Sequence, residues 1–150
     1  MRTRPVERRD VDAWAAMRHA LWPEADADEL ARECADFFVQ PHLIDAVFVA
    51  EKPDGKLAGF VELSLRSHAQ GCDSSPVPYI EGWYVATAAR KRGVGRALID
   101  AAERWAVDGG YSEIASDARL DNRASHAAHA ALGFAETARN VHFRKALTRR

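Results

Sequence analysis

The chain has 150 residues, 47% of them hydrophobic and 29% charged, with a formal net charge of -1. That length suits one domain with room for a real core, and the charge balance excludes bulk electrostatic binding of nucleic acid. No apolar run reaches the length of a membrane span, Met1-Arg2-Thr3-Arg4-Pro5 lacks the apolar stretch of a secretion signal, and Cys34 and Cys72 form no metal or redox spacing. The expectation is a cytoplasmic protein with free thiols, spanning 1–150 as a single domain.

Thr3–Arg8 reads as a short first strand. Asp10 is placed to cap a helix running to about Leu21, with Val11, Trp14, Ala15 and Met17 on its apolar face. Trp22-Pro23 interrupts that helix, because proline restricts the residue before it and is tolerated only at a helix start. Glu24, Asp26, Asp28 and Glu29 suit the first turns of a second helix, with Leu30, Cys34, Phe37 and Phe38 as its inner stripe and Pro41 as its end. Ala46–Glu51 and Leu57–Arg66 read as a hairpin around Pro53-Asp54-Gly55-Lys56, and Ser67–Pro78 as a loop.

Tyr79–Val85 is the next strand. Val94, Leu98, Ala102, Trp105 and Ala106 recur at helical spacing, which predicts a helix from about Gly93 to Val107, ended by Gly109-Gly110. Tyr111–Ser116 returns as a strand, and the strand–helix–strand order favours parallel or mixed pairing. Asn122–Leu132 is a short alanine-rich helix with Gly133 as its left-handed cap. Phe134–Thr137 and Val141–Leu147 pattern as a terminal hairpin. The pattern is α/β, with an early hairpin and a later βαβ unit.

Arg90-Lys91-Arg92-Gly93-Val94-Gly95 joins the Tyr79–Val85 strand to the long helix. Two glycines let backbone approach a ligand closely, the helix start offers free N–H groups and a positive dipole end, and Arg90, Lys91, Arg92 and Arg96 add charge. The stretch suits a phosphorylated ligand, yet its spacing is neither the Walker pattern nor the dinucleotide fingerprint. It resembles the Arg/Gln-x-x-Gly-x-Gly/Ala signature of the GCN5-related N-acetyltransferases. Asn122 with the Leu132-Gly133-Phe134 turn adds to that resemblance. Longer strings are more specific: Ser75 through Val85 (with Glu81-Gly82 inside), Ala115 through Asn122 (with Ser116-Asp117), and Ser125-His126 through Phe134. With Leu21-Trp22 they are similar to the aminoglycoside 6'-N-acetyltransferases of the subgroup sharing Ser-Asp and Leu-Gly-Phe, over most of residues 10–147.

The resemblance implies a mixed, mostly antiparallel sheet with a splayed parallel central pair and flanking helices. It implies acetyl-CoA as cosubstrate, no metal, an aminoglycoside antibiotic as the acceptor (hence antibiotic resistance), and a homodimer, with exchange of a C-terminal strand as one form of it. On this reading Trp83, Tyr84 and Val85 meet the pantetheine and acetyl carbonyl through their backbone, and Lys91, Arg92, Gly93, Val94, Gly95 and Arg96 hold the pyrophosphate. Asn122 contacts the cofactor; its other reading is a helix cap. Trp22, His68, Glu81 and Asp117 form the substrate surface. Two positions depart from the family: His68 stands nearest the place of an expected tyrosine, and Ala138 stands at the place of a substrate-facing glutamate. Both changes fall on the substrate side.

Chemistry supplies the expected roles. An ammonium has no free lone pair, so the acceptor amine must lose a proton before or during attack, to Asp117 or Glu81, directly or through water; Asp117 is the favoured acceptor and Glu81 the orienting group. Desolvation is the expected means of making such a carboxylate basic enough. The resemblance implies the N–H of Val85, released by an irregularity in its strand, as the donor to the developing oxyanion. His129 lies nearest the place of the group that would meet the leaving thiolate; its other reading is a polar helix residue. Other readings of the whole are acetylation of a polyamine or amino sugar, and a noncatalytic acetyl-CoA-binding module.

Overall fold

The computed structural model describes residues 1–40 and 43–149, so the expected helix end at Pro41 lies outside the described residues. Five strands pair in chain order: β1 (Arg2–Pro5), β2 (Ala46–Glu51), β3 (Leu57–Arg66), β4 (Val77–Val85) and β5 (Ala115–Ser116). The pairs from β1 to β4 are antiparallel, and β4 with β5 is parallel. The helices are α1 (Val11–Leu21), α2 (Ala27–Phe37), α3 (Val94–Asp108) and α4 (Arg123–Ala131).

Alternation along the strands builds two layers of core. Val47, Val49 and Phe60 pack with Trp14 and Met17 of α1 and Cys34 of α2 in one buried cluster, where Phe37 stands edge-on to Trp14 at 5.6 Å. The intervening Phe48 lines a cavity of about 250 Å³ together with Ala101 and Trp105 of α3. α1 with α2 thus covers one face and α3 the other, which accounts for the heavily buried run Ala58–Ser64.

The α1–α2 layer also holds a charged cluster. Arg18, 5% exposed, donates to Glu62, 1% exposed, at 2.7 Å, to the carbonyl of Leu30 at 3.0 Å and to Glu33 at 2.6 Å. Trp14 donates its indole N–H to the same Glu62 at 2.9 Å. The cluster ties both helices to β3, and its guanidinium lies 5.1 Å from the ring centre of Trp22. Burial beside it pushes the Cys34 thiol up to about 12, which makes that cysteine an inert core residue.

Several boundaries differ from the sequence reading. Asp10 precedes α1, but its carboxylate caps no helix N–H there. It accepts instead from Arg4 at 2.7 and 3.0 Å and from the Glu7 N–H at 2.8 Å, because an ion pair reaching across from β1 competes for the same oxygens. Asp26 is the side chain that caps, accepting from the N–H groups of Asp28 and Glu29 to start α2. β4 begins two residues early at Val77, and the expected Tyr111–Ser116 strand shortens to Ala115–Ser116.

Residues Met1–Asp117 form one compact unit and Ala118–Arg150 a second. In the second, Asn122 caps α4 by accepting the Ser125 N–H at 3.1 Å, and Gly133 takes φ +91° after the helix. The terminal hairpin expected over Phe134–Thr137 and Val141–Leu147 is not formed: residues 134–149 contain no strand. Val141, Phe143 and Leu147 are 71%, 92% and 88% exposed. A lone two-stranded ribbon that buries neither face is marginal in water, so alternation here does not suffice.

Candidate active site

Main-chain geometry of β4 sets the site. Its pairing with β5 covers only Tyr79 and Ile80, opposite Ala115 and Ser116, so among the described residues the rest of β4 has no strand beside it on that side. On the other side it pairs with β3 through Val85, opposite Gly59. The Ala86 N–H donates to the Ala58 carbonyl at 2.8 Å, which makes Gly59 and Val85 a non-hydrogen-bonded pair. By alternation, the N–H and C=O of Val85 and Trp83 point away from β3, toward the open edge. Arg90 uses that freedom and donates its Nε to the Val85 carbonyl at 3.0 Å. Tyr84 is placed differently: its main chain turns to Phe60, and its ring lies 6.1 Å from the Phe60 ring against the α1–α2 core.

The strand irregularity is not where the Val85 expectation needed it. The register shifts between Glu62 and Leu63, which face Gly82 and Ile80, so Glu81 is the extra residue. Val85 is exposed to the edge by ordinary ladder alternation and by the short β5, and the bulge serves to re-aim Glu81.

The open edge leads to the start of α3. Gly93 precedes it at φ +82° and Lys91 adopts φ +63°, so the loop coils through left-handed backbone before the helix. The first bond of α3 is Ala97 N–H to Gly93 C=O at 3.0 Å, which leaves the N–H groups of Val94, Gly95 and Arg96 without helical partners. Gly95 packs on β4: a Cβ there would stand 3.2 Å from the Trp83 ring and 3.6 Å from Val85 Cγ2. Lys91, Arg92 and Arg96 are exposed around this helix start. Free N–H groups, the dipole end and three cations fit an anionic phosphate-bearing ligand, and the strand edge fits an extended amide arm.

A second group of side chains gathers where β4 meets β3 and β5. Glu81 accepts from Arg66 twice, at 2.8 and 2.6 Å, and from the Ser64 hydroxyl. Burial pushes its carboxyl up, but the Arg66 and Ser64 donors outweigh that and hold it below the ordinary range. The Arg66 guanidinium lies 3.5 Å from the centre of the Tyr79 ring, and the Tyr79 hydroxyl donates to Asp117. Asp117 itself is exposed.

Trp22 reaches the same strand. A Cβ on Gly82 would meet the Trp22 ring at 2.9 Å, so this glycine is what lets the indole lie on β4 beside Glu81. His68 is exposed in the loop after β3. That loop is anchored by Glu113, which accepts from the N–H groups of Asp73 and Ser74 at 3.0 and 2.7 Å. Trp22, Glu81 and Asp117 are therefore all placed at β4, through Gly82, the bulge and Tyr79. Ser64, Arg66 and Tyr79 were missed. The alternating polar set Glu62, Ser64, Arg66 in an apolar strand was their signal, unread because pairing to Glu81 depends on the bulge.

Asn122 and His129 belong to the second unit. The Asn122 carbonyl oxygen is taken by its capping bond, leaving its amide hydrogens. His129 Nδ1 lies 2.7 Å from the Ser125 carbonyl, which fixes the Nδ1–H tautomer and makes Nε2 an acceptor in the neutral ring.

Residues 11–134 match the family model described as the acetyltransferase (GNAT) family. The chain belongs to that family. It is 47% identical over 148 residues to an aminoglycoside N(6')-acetyltransferase type 1 of Klebsiella aerogenes, covering 96% of this chain and 95% of that protein. A protein of the same description from Stenotrophomonas maltophilia is 45% identical, with 92% and 88% covered. Among solved structures, AAC(6')-Iy in complex with the bisubstrate analog CoA-S-monomethyl-acetylneamine superposes with a TM-score of 0.86 at 37% identity, covering 97% of each chain. The apo aminoglycoside 6'-N-acetyltransferase AAC(6')-IG from Acinetobacter haemolyticus gives 0.87 at 34% identity, covering 99% and 100%. The mixed five-stranded sheet with one parallel pair is this family's fold.

Proposed function

We propose that this protein transfers the acetyl group of acetyl-CoA to the 6'-amine of aminoglycosides, as a single acetyltransferase domain over 1–150. The observation that carries the reading is the double use of β4. Its open edge runs to a phosphate-binding helix start, while its bulge presents an acidic, aromatic-walled group of side chains beside that edge. Near full-length similarity to proteins named for this activity supports it.

Bound acetyl-CoA supplies a thioester whose thiolate is a good leaving group. The chain's residues do the rest. Lys91, Arg92 and Arg96, with the N–H groups of Val94 and Gly95, hold the diphosphate. Trp83 and Val85 offer main-chain donors and acceptors to the extended arm, and the Val85 N–H meets the oxygen that gains charge during attack. Asn122 adds its amide hydrogens to cofactor binding. Trp22 stacks on a sugar ring, and Glu81, Asp117 and His68 line the acceptor side. Asp117 takes the proton from the attacking amine, while Glu81, held ionised by Arg66, attracts and orients the polycation. His129 is the residue proposed to give a proton to the leaving thiolate. No step uses a metal, and the unit that works in the cytoplasm is a homodimer, a state that light scattering measures directly.

The deciding experiment follows CoA thiol release with acetyl-CoA and aminoglycosides paired by scaffold, one member with a 6'-amine and the other with a 6'-hydroxyl. Release only with the amine, with acetyl mass gained at that position, is the expected result. Acetyl-CoA binding without release overturns the aminoglycoside assignment for the panel and leaves another small amine or a noncatalytic module. Asp117→Asn is expected to lower turnover about 100-fold with acetyl-CoA affinity unchanged, the usual scale for loss of a general base.

A further inference from the structure

Tyr79 touches both sides of the acidic group. It sits on β4 opposite Ser64 of β3 and beside Ala115 of β5, so its backbone fixes the spacing of all three strands at the site. Its ring carries the Arg66 guanidinium 3.5 Å from the ring centre, and that guanidinium binds Glu81 through both Nε and Nη2. Its hydroxyl donates to Asp117, which stands two residues beyond the Ala115 that pairs with Tyr79. Tyr79 is 8% exposed, whereas Asp117 is exposed. The Arg66 cation also acts on Asp117, but its hydrogen bonds go to Glu81.

We propose that Tyr79 is a positioning residue for acetyl transfer: its hydroxyl fixes the Asp117 carboxylate for proton transfer, while its ring seats Arg66 on Glu81, so that two neighbouring carboxylates take different tasks. The inference rests on Asp117 being the proton acceptor. Three donors satisfy Glu81, two from a cation, which leaves it a poor base and a fixed negative charge. Among the described residues the donor given to Asp117 is the neutral Tyr79 hydroxyl, which holds Oδ2 and leaves Oδ1 for the amine. The amine nitrogen gives its proton to that oxygen as its lone pair forms the N–C bond to the thioester carbonyl, and collapse of the tetrahedral intermediate breaks the C–S bond and releases the CoA thiolate. Burial and then the Asp117 bond push the Tyr79 phenol up, so it remains a donor throughout the working pH range. Arg66 and Glu81 are the other charged groups acting on this phenol.

The test is Tyr79→Phe, which deletes the hydroxyl and keeps the ring beneath Arg66. Because Asp117 is exposed, water replaces the lost donor and the fold is expected to survive. In the aminoglycoside reaction kcat is expected to fall about tenfold, the scale of a misplaced base, with the acetyl-CoA KM unchanged. In an Asp117→Asn background the same change is expected to have no further effect, since the two side chains act as one unit. A neutral-pH readout without substrate accompanies it: the Tyr79 ring 13Cζ resonance is expected to move in Asp117→Asn, with those of Tyr84 and Tyr111 unmoved. Wild-type turnover of Tyr79→Phe, additive losses in the double variant, or an unmoved Tyr79 resonance each overturns the positioning role. Wild-type turnover of Asp117→Asn alone overturns the proton-acceptor reading beneath it, and so separates the two failures.

Discussion

Two glycines show how single residues govern the site, and each gives a prediction. Gly93 takes φ +82° with nothing within 4 Å of where a Cβ would stand. Its replacement by alanine is therefore a test of backbone conformation without a clash. Gly93→Ala is expected to cost about 1 kcal/mol of stability and to raise the acetyl-CoA KM several-fold, with the aminoglycoside KM unchanged. Urea unfolding and initial-rate kinetics measure the two effects. Gly82 is the opposite case, where space decides. A methyl there meets the Trp22 ring at 2.9 Å and Phe60 at 3.3 Å. Gly82→Ala is expected to push the indole off β4 and raise the aminoglycoside KM about tenfold while leaving acetyl-CoA binding intact, by loss of a positioned wall. An unchanged aminoglycoside KM would show that Trp22 is packing alone.

At the scale of elements, β4 is shared between two tasks by its pairing. Ladder alternation exposes Trp83 and Val85 main-chain groups on one edge, and the bulge at Glu81 turns a carboxylate toward Ser64 and Arg66 of β3. The helix layer above is pinned through Arg18 and Glu62, both nearly without solvent contact. Such a pair is no great source of stability when whole, because desolvating two charges offsets their attraction. Breaking it is costly. Glu62→Gln removes one of the two carboxylates that face the buried Arg18 charge, leaving Glu33 as its ionic partner, and is expected to lose about 2 kcal/mol in equilibrium unfolding. Trp22, 5.1 Å above the same guanidinium, is expected to lose its place with it, so the surviving folded fraction should show a raised aminoglycoside KM.

For the whole molecule the ion pairs predict an acid limit. Burial raises the Asp10 carboxyl, but Arg4 and the Glu7 N–H outweigh it and set its folded-state value below the ordinary 3.8. Glu81 likewise lies below 4.5 because Arg66 and Ser64 outweigh burial. A carboxyl lowered on folding adds stability above its unfolded pKa and loses that contribution as pH falls through the folded value. The stability that Asp10 and Glu81 add is therefore expected to be complete above about pH 5 and lost below about pH 4, and Asp10→Asn should make the acid drop in melting temperature shallower while lowering stability at neutral pH. Calorimetry across pH 3–7 checks both. Among the described residues no helix is long and apolar enough to cross a membrane.

Sequence alone determined the family and the order of elements through α4, and it put forward the glycine-rich helix start and Trp22, Glu81 and Asp117 as candidates, because each is written in contiguous residues: periodicity, caps, glycines and short strings. It placed the cap of α1 on Asp10 and a hairpin over 134–147, and both failed for one reason. A local pattern does not say whether a distant partner competes, as Arg4 does for Asp10, or whether a face will be buried, as Phe143 is not. Only the tertiary structure decided the division of labour at the site. Register brings Ser64 and Arg66 to Glu81 and Tyr79 to Asp117, across separations of 17, 15 and 38 residues. A one-residue bulge sets that register, and the donors it delivers to Glu81 hold that carboxyl below the ordinary range.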